Sequence, residues 1–458
     1  MELKNVKLRD YQEKILDDLK YVSSIGLFMK VGSGKTLTGL ARVMQNNTPN
    51  LLVICPQKII SQWWEVIEKH TDFKPIKYKL NWSAKKKNDV IEKYLLHDYT
   101  PHQCVVVNFD IIDKIKCLDW AIDDTWTIIV DESHKIKNVG TTRKPVKTTA
   151  RCLELGKLTS YKIIMTATPT EKEKGGYIDL YSQLNFLGYY DHTITYFKNQ
   201  FCIIDQLQVP GIPFPVRKIV GYNTLAIEKY LMPILNATCR YYAPKYGDYE
   251  PQTIDIKIPR AKNYPKLVRE RVYKDITFDN VSAMRVGKKS LIGGKITGTD
   301  EYGKRFSYID NTEKADWLSE FLSNTDERVC VLYCYNVEKE MIESVCENLN
   351  KTYININGEV LDKPKEIEKE FDVLIGQYSA FSESLDGLQF KCHIMIFYGM
   401  PDSSLQYKQS LGRIDRIGQE KVPTYYNLIM EDTIDEKIYE MLKNKVEFSE
   451  KDLNSITI

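Results

Sequence analysis

The 458-residue sequence lacks any run close to the ~20 apolar residues that a membrane-spanning helix requires. Its first residues also lack the apolar core of a secretory signal. Neither sign of charge is in large excess, because the sequence contains 64 Lys and Arg residues and 62 Asp and Glu residues. We therefore expect a cytoplasmic protein without a membrane partner. This balance argues against a basic coat over the whole surface, but it does not exclude a local basic groove.

The ten cysteines lack the paired spacing of a zinc or disulfide framework. None forms a C-x-x-C pair, and only Cys330 and Cys334 lie close together in the chain. Several occur inside apolar runs that are typical of strands, where a reduced thiol packs as a small apolar group. We expect these cysteines to be reduced and structural.

Short apolar runs alternate with longer amphipathic stretches in two regions of the chain. Runs that are apolar throughout are typical of strands covered on both faces, as in parallel sheets with crossover helices. The pattern predicts an α/β fold with two lobes, residues 1–195 and 313–458, and a linker with a helical or irregular insertion at 196–312. The predicted strands are 25–29, 51–55, 105–109, 127–131, 162–166, 329–334, 353–357, 372–376, 394–398 and 424–429, and predicted helices include 59–69, 338–349 and 433–443.

The segment GSGKT at 32–36 stands between a strand-like run and a helix-like run. Such a strand, turn and helix make a phosphate cradle, because backbone N–H groups and the helix dipole point at the anion. The pattern predicts that Lys35 contacts the β- and γ-phosphates of ATP and that the Thr36 hydroxyl binds Mg²⁺. Position 29, where the strict pattern has glycine, is Met29. The predicted cradle consists of Gly32, Ser33, Gly34, Lys35 and Thr36.

The apolar run TIIVD at 127–131 is the second part of the same predicted site. Its last residue, Asp131, and the next one, Glu132, are two adjacent carboxylates, and we expect Asp131 to hold Mg²⁺. Glu132 would orient and deprotonate the attacking water. In this order after GSGKT, the two carboxylates predict an enzyme that converts ATP and water into ADP and phosphate.

Further motifs extend this pattern along nearly the whole chain. Together they resemble helicase superfamily two, and specifically its Swi/Snf-like branch of double-stranded-DNA translocases. The KIKN and RIGQ endings carry the resemblance to that branch. The resemblance implies two RecA-like lobes with mainly parallel sheets flanked by helices, and an ATP cleft between the lobes. The motifs are LRDYQ (8–12), VICPQKIISQWWEVIEK (53–69), DESHKIKN (131–138), MTATPTEKE (165–173), DLYSQLNFLG (179–188) and QSLGRIDRIGQ (409–419).

The resemblance also implies roles for residues outside the phosphate loop. Gln12 would recognise the adenine edge, because a side-chain amide offers both a donor and an acceptor. Arg413 and Arg416 would share one helix face and reach the γ-phosphate from the second lobe. The residues expected to couple nucleotide binding to lobe closure are His134, Thr166, Thr168 and Gln409.

For the polynucleotide, the resemblance assigns the contacts to loops that follow strands in both lobes. Such contacts would be to phosphates, which position a protein without reading sequence. We assign Trp63 and Trp64 to core packing rather than to base stacking. The loop at 377–389 departs from the glycine-rich coupling motif of the family. The expected contact residues are Pro56, Gln57, Lys58, Asn108, Cys334 and Tyr335.

The sequence therefore favours an ATP-driven translocase that moves along double-stranded DNA by sequence-independent backbone contacts. A minimal bacterial, viral or phage member is expected, acting in the bacterial or host cytoplasm, and an unidentified protein partner stays open. Two alternatives remain, namely a strand-separating DNA or RNA helicase and a nucleotide-gated nucleic-acid clamp with little hydrolysis. ATPase rates with duplex DNA, single-stranded DNA and RNA would distinguish them.

Overall fold

The protein forms two compact units, one made of Met1–Pro244 and Glu447–Ile458 and the other of Lys245–Val446. A computed structural model describes residues 3–97, 102–141, 144–170, 176–207, 215–242, 249–299, 305–360, 363–381, 385, 387–416 and 418–453. Each unit is built around one large sheet, and the predicted α/β fold with two parallel-sheet lobes is confirmed. In the described part of the chain, no helix is both long and apolar enough to cross a membrane.

In the first unit, every strand pairing described within the large sheet is parallel. Its strands are β1 (Ile25–Met29), β2 (Asn50–Cys55), β3 (Lys74–Pro75), β4 (Gln103–Asn108), β5 (Trp126–Asp131), β6 (Tyr161–Thr166) and β7 (Cys239–Tyr242). They lie side by side in the order β7, β1, β6, β5, β2, β4 and β3. This order brings β1, β6 and β5 together as neighbours.

The second unit repeats this plan, again with parallel pairing throughout the described sheet. Its strands are β8 (Gln252–Ile258), β9 (Val329–Tyr333), β10 (Tyr353–Ile356), β11 (Val373–Gln377), β12 (Ile394–Phe397) and β13 (Thr424–Met430). Their order across the sheet is β8, β13, β12, β9, β11 and β10.

Helices connect the strands of both sheets. In the first unit they span Asp10–Asp18, Lys35–Asn46, Ile60–His70, Ala84–His97, Leu118–Ala121, Lys147–Gly156, Leu180–Leu187, Ile194–Phe201, Thr224–Ala226 and Met232–Thr238. In the second they span Tyr264–Glu270, Val281–Ile292, Glu313–Ser323, Asn336–Asn348, Lys363–Glu368, Tyr378–Phe381, Ser404–Leu411 and Ile434–Leu453. Antiparallel two-stranded ribbons pair Cys202–Leu207 with Val216–Tyr222 and Lys295–Thr299 with Arg305–Ile309.

The continuous apolar runs became fully buried strands, as in β1 and β5, where every residue is enclosed. The helix Ile60–His70 shows the complementary pattern, since Ile60, Trp63 and Ile67 recur at helical spacing and are all buried. All ten predicted strands and the three predicted helices occur. Their ends are shifted by at most two residues, except that the helix predicted at 433–443 continues to Leu453. The prediction of reduced cysteines is also confirmed, because all ten are unpaired and only Cys334 is not fully buried.

The segment 196–312 supplies an edge strand to each sheet. Strand β7 pairs with β1, and Gly26 lies opposite Cys239 in that pairing. Strand β8 pairs along its whole length with β13, from Gln252 opposite Thr424 to Ile258 opposite Met430. The division of the chain at 195 and 312 stays a prediction.

The contact between Gly26 and β7 generates a stability prediction. A Cβ atom at position 26 would lie 2.5 Å from Cys239 Sγ, too close for any real contact. We expect Gly26→Ala to lower the free energy of unfolding of the first unit by ~1–3 kcal/mol, the usual cost of overpacking. Adding Cys239→Ala should restore part of the loss, because it removes the clashing sulfur.

Gly221→Ala is the matched control, since its Cβ would meet Ile203 at an ordinary 3.5 Å. Denaturant unfolding of the four variants measures the effect. A Gly26→Ala protein as stable as the wild type would contradict the pairing of β7 with β1.

Candidate active site

Three neighbouring strands of the first sheet end in the predicted nucleotide-site motifs. The phosphate loop follows β1, the DESH segment follows β5, and β6 between them ends at Thr166. Because parallel strands place their carboxyl ends at one edge of a sheet, these motifs meet although they are far apart in sequence.

The phosphate loop leads from β1 into the helix Lys35–Asn46. Its lysine folds back so that Lys35 Nζ donates to the carbonyl of Met29 at 2.9 Å. The Met29 side chain points into the core and is completely buried. Only its backbone faces the loop, so the departure from glycine at this position leaves the loop unobstructed. Ser33 Oγ steadies the turn by donating to the Lys30 carbonyl at 2.6 Å.

Gln12 lies against the start of the same helix and is 3 % exposed. Its Nε2 donates to the Gly34 carbonyl at 3.1 Å and to Thr38 Oγ1 at 2.9 Å. Gly34 has a φ of 76°, and a Cβ there would lie 2.8 Å from Gln12 Nε2. Both the left-handed backbone and this close approach require glycine at position 34. The structure thus brings Gln12 to the phosphate loop, while its adenine-binding role stays a prediction.

The two carboxylates at the end of β5 are held in different ways. Asp131 Oδ1 accepts from the backbone N–H of Glu132 at 2.9 Å, and Asp131 Oδ2 accepts from Trp63 Nε1 at 3.0 Å. Burial, together with the neighbouring charge of Glu132, raises the pKa of Asp131, whereas Lys35 acts to lower it. Lys35 is therefore close enough to act electrostatically on the carboxylate predicted to bind metal.

Glu132 takes a left-handed conformation with a φ of 54°, which is rare for a residue with a side chain. This conformation accompanies a closed set of side-chain contacts. Glu132 Oε2 lies 3.2 Å from His134 Nδ1 and accepts from Thr166 Oγ1 at 3.3 Å, while His134 Nδ1 lies 3.1 Å from Thr166 Oγ1. Because an ionised carboxylate can only accept, Nδ1 is the protonated nitrogen of His134 in this arrangement.

Burial is the largest single influence on the pKa of Glu132 and raises it, but the hydrogen bonds with His134 and Thr166 and the charge of Lys35 together outweigh burial, so the pKa lies below its ordinary value. Glu132 is therefore ionised at neutral pH, as a group that must accept a proton from water has to be. The backbone N–H of Thr168 also donates to Thr166 Oγ1, at 3.1 Å. Three of the four predicted coupling residues thus form one cluster with Glu132.

Two residues of this site were not identified as functional from the sequence. Trp63 was assigned to the core, where it does lie, but its indole N–H also reaches Asp131. Gln183 joins the DESH segment to the stretch after β6, because its Oε1 accepts from Ser133 Oγ at 2.7 Å and its Nε2 donates to the Pro169 carbonyl at 2.8 Å. The sequence does contain a signal that points to Gln183, because this residue lies in the family motif DLYSQLNFLG.

The prediction that Arg413 and Arg416 lie on one face of a helix is wrong. The helix ends at Leu411, and both arginines lie in the turn that follows. Arg416 Nε donates at 2.5 Å to the Gly412 carbonyl, the acceptor that the backbone N–H of residue 416 would use in a continuing helix. The turn still brings the arginines together, because Nη1 of each donates to the Leu385 carbonyl, at 2.8 Å and 3.5 Å.

The predicted nucleic-acid residues of the first unit lie at the ends of β2 and β4. Gln57 and Lys58 are exposed in the short turn after β2, and Pro56 precedes them. Asn108 is only 1 % exposed, and its Nδ2 donates to Asp110 Oδ2 at 3.1 Å. The turn at 56–58 is therefore the part of this surface that is open to a ligand.

In the second unit, the turn after β9 is held by one carboxylate. The backbone N–H groups of Cys334 and Tyr335 donate to Glu338 Oε2 at 2.6 Å and 3.1 Å. Gln409 is half-buried on the helix Ser404–Leu411. Within the unusual loop at 377–389, residues 382–384 and 386 lie outside the described residues.

The residues present fit a magnesium ion that binds together with a triphosphate. Mg²⁺ prefers oxygen ligands and usually takes only one or two from the protein, with the remainder from phosphates and water. The Asp131 carboxylate, fixed by two N–H donors, and the Thr36 hydroxyl at the start of the helix Lys35–Asn46 are such ligands.

A parallel sheet with a phosphate loop after one strand and paired carboxylates after a neighbouring one defines the class of P-loop nucleoside triphosphatase domains. Residues 20–205 match the family model described as the SNF2-related domain. The resemblance to the Swi/Snf-like branch of helicase superfamily two is confirmed.

Two relatives align with nearly the whole chain. The "Uncharacterized ATP-dependent helicase YqhH" of Bacillus subtilis (strain 168) is 22% identical over 92% of this chain and 75% of its own length. The "TATA-binding protein-associated factor BTAF1" of Arabidopsis thaliana is 22% identical over 99% of this chain and 26% of its own length. The chain thus spans about a quarter of the second relative.

Among solved structures, the Hef helicase domain of Pyrococcus furiosus superposes with a TM-score of 0.52 at 14% identity, covering 96% of this chain and 100% of that one. The "Sulfolobus solfataricus SWI2/SNF2 ATPase core in complex with dsDNA" gives a TM-score of 0.43 at 18% identity, with 99% and 97% covered. The first of these likenesses supports the expected fold of two RecA-like lobes.

The environment of Glu132 generates a pH-dependent prediction. A carboxylate whose pKa is lowered on folding stabilises the protein above its unfolded pKa, and that contribution is lost as pH falls through the folded value. We expect Glu132→Gln to unfold at lower temperature than the wild type at pH 7, because ~1.5–3 kcal/mol is the usual contribution of a hydrogen bond to a charged group such as the Glu132 carboxylate. The difference should shrink as pH falls from about 5 toward the folded pKa of Glu132, about 2.

Thermal unfolding across this pH range measures the effect. Glu65→Gln, at an exposed position on the helix Ile60–His70, is the control and should match the wild type. A constant difference between Glu132→Gln and the wild type at every pH would contradict the assigned environment of Glu132.

Proposed function

We propose that this protein is an ATPase that moves along double-stranded DNA by means of backbone contacts. The observation that carries the proposal is the convergence of the phosphate loop, Asp131 and the Glu132 cluster at one edge of the first sheet. The match of residues 20–205 to the SNF2-related domain supports the duplex substrate, as do the KIKN and RIGQ endings.

The site supports hydrolysis by a positioned water. Glu132, which is ionised and fixed by His134 and Thr166, is suited to take a proton from the water as its oxygen bonds to the γ-phosphorus. The bond between that phosphorus and the bridging oxygen breaks, and ADP leaves with the negative charge. Thr36 and Asp131 would hold Mg²⁺, which neutralises charge on the β- and γ-phosphates when it is bound.

Lys35 and the arginines of the second unit would stabilise the charge that develops on the phosphates. A guanidinium suits this task because it stays ionised and can donate to two oxygens at once. We propose that Arg413 and Arg416 act on ATP held in a cleft between the two lobes. Closure of the lobes on ATP, and opening after hydrolysis, would then move one lobe along the DNA.

The exposed turn at 56–58 is the best supported nucleic-acid contact in the first unit. Lys58 offers a charge to phosphates, and the exposed Gln57 offers an amide. In the second unit we propose contacts from the Cys334–Tyr335 turn, which Glu338 holds in place. We further propose a cytoplasmic location and leave open an additional protein partner.

A strand-separating helicase is the second candidate. It is favoured by one observation, namely that the Bacillus relative is named an ATP-dependent helicase. A helicase would be activated by single strands and would unwind a forked duplex, so one set of assays distinguishes the two functions.

The ATPase proposal predicts different defects for two substitutions. Lys35→Ala should weaken nucleotide binding, because it removes the ammonium from the phosphate loop. Glu132→Gln should retain MgATP binding but lose at least ~10²-fold in turnover, the usual contribution of a general base. Steady-state phosphate release and fluorescent-nucleotide binding measure these effects.

Lys69→Ala, at an exposed position, is the control and should leave both properties unchanged. Normal turnover by Glu132→Gln would show that another group activates the water.

The substrate proposal predicts that duplex DNA stimulates ATP turnover more than single-stranded DNA or RNA does. Affinity for duplexes of different sequence should be equal, and log K should fall by ~0.9 per log unit of salt for each phosphate neutralised. A triplex-displacement assay measures movement along the duplex, and a forked duplex measures unwinding. Stronger activation by single strands together with unwinding of the fork would replace the translocase with the helicase.

A further inference from the structure

The helix Ile60–His70 connects two parts of the first unit that have separate proposed roles. It follows directly on the turn Gln57–Ile59, which contains the exposed Gln57 and Lys58. One turn into the helix, Trp63 Nε1 donates to Asp131 Oδ2 at 3.0 Å. The proposed DNA contact and the proposed metal ligand are therefore joined by a few residues of one helix and one hydrogen bond.

This connection is short and well packed. Lys58 and Trp63 are five positions apart, which corresponds to ~7.5 Å along a helix. Ile60, Trp63 and Ile67 anchor the helix in the core, with exposures of 0%, 2% and 0%. A helix held in this way transmits a displacement of its first turn instead of absorbing it, since packed interiors deform little.

Asp131 cannot easily replace the hydrogen bond that it accepts from Trp63. Each of its two oxygens has one donor, the backbone N–H of Glu132 for Oδ1 and the indole of Trp63 for Oδ2. Asp131 is 7% exposed, so water has little access to the oxygen that would lose its partner. A movement of Trp63 would therefore reorient the carboxylate, because a buried charged oxygen without a donor is costly.

We propose that Trp63 is a positioning residue that couples nucleic-acid binding at Pro56–Lys58 to the metal-binding geometry of Asp131. The coupling rests on the proposed function, since it explains how DNA would stimulate ATP hydrolysis. DNA bound at the turn fixes the start of the helix, the indole then holds Asp131 in its binding orientation, and the metal–nucleotide complex binds more tightly. Linkage requires the reverse effect as well, so bound nucleotide tightens DNA binding by the same factor.

The adjacent tryptophan provides a matched control. Trp64 lies on the same helix and is 8% exposed, and its ring meets Tyr78 edge to face at 5.4 Å. Its Nε1 is buried and has no hydrogen-bond partner among the described residues. Trp63→Phe and Trp64→Phe therefore make the same loss of ring volume on neighbouring positions, but only the first removes a hydrogen bond to the active site.

The first test measures how duplex DNA changes the affinity for Mn²⁺·ADP by calorimetry, without any turnover. In the wild type, duplex should raise this affinity several-fold. In Trp63→Phe, we expect about a tenfold weaker affinity for the metal complex, the usual effect of losing a partner of a metal ligand. We also expect the duplex effect to disappear. Trp64→Phe should behave as the wild type.

The second test compares the ratio of ATPase rates with and without duplex in the same three proteins. Duplex affinity in the absence of nucleotide should stay within about twofold in all of them, because Gln57 and Lys58 are unchanged. The stimulation ratio should fall at least about fivefold in Trp63→Phe alone. Equal losses in both variants would overturn the proposal, because they would indicate a packing effect.

Failure of the coupling and failure of the proposed function give different results. If duplex stimulates the wild type and Trp63→Phe equally, the coupling is wrong and the translocase proposal stands. If duplex neither binds nor stimulates the wild type, the proposed function fails and the coupling fails with it. The calorimetry on the wild type tests the coupling even if Trp63→Phe does not fold, since an unchanged Mn²⁺·ADP affinity with duplex would overturn it.

Discussion

Parallel pairing of β1, β6 and β5 is the constraint on which the site depends. Each of these strands carries a different motif at its carboxyl end, and only a parallel arrangement puts all three ends at one edge. Side-chain hydrogen bonds such as Thr166 to Glu132 and His134 to Thr166 then join the motifs once the strands have brought them together. The distances between the motifs follow from the register of buried apolar strands, so the chemistry of the site is positioned by residues that take no part in it.

Two neighbouring carboxylates of the site, Asp131 and Glu132, have opposite pKa shifts. The buried Asp131 and the half-buried Glu132 are adjacent carboxylates with Lys35 nearby, and their pKa values are shifted in opposite directions. The difference comes from their partners, because Glu132 has His134 and Thr166 while Asp131 has two neutral N–H donors. Glu132 has a left-handed backbone. Its side chain contacts Thr166 at the end of β6, whereas the Asp131 side chain contacts Trp63. Such local strain is usual where function fixes the geometry.

The sequence sufficed for the fold class, the ten core strands and the convergence of the main motifs, because burial on both faces and motif order are local signals. It did not suffice where a contact depends on which strands become neighbours. Trp63 was correctly predicted to be buried, but its bond to Asp131 requires β2 and β5 to be adjacent. Strand β7 was missed because CRYY has no long apolar run. The helix under Arg413 and Arg416 was wrong because side-chain donors replaced the backbone pattern.

The pairing of β7 with β1 has a consequence for synthesis on the ribosome. Strand β1 is complete at Met29, but its outer neighbour ends at Tyr242, more than two hundred residues later. At ~5–20 residues per second, translation leaves that side of β1 without its partner for roughly ten to forty seconds. During this interval the nascent chain exposes an apolar strand edge, the kind of surface on which chains associate wrongly. The sheet of the first unit can be completed only after Tyr242 has been synthesised, so we expect this unit to finish folding only when most of its length has left the ribosome.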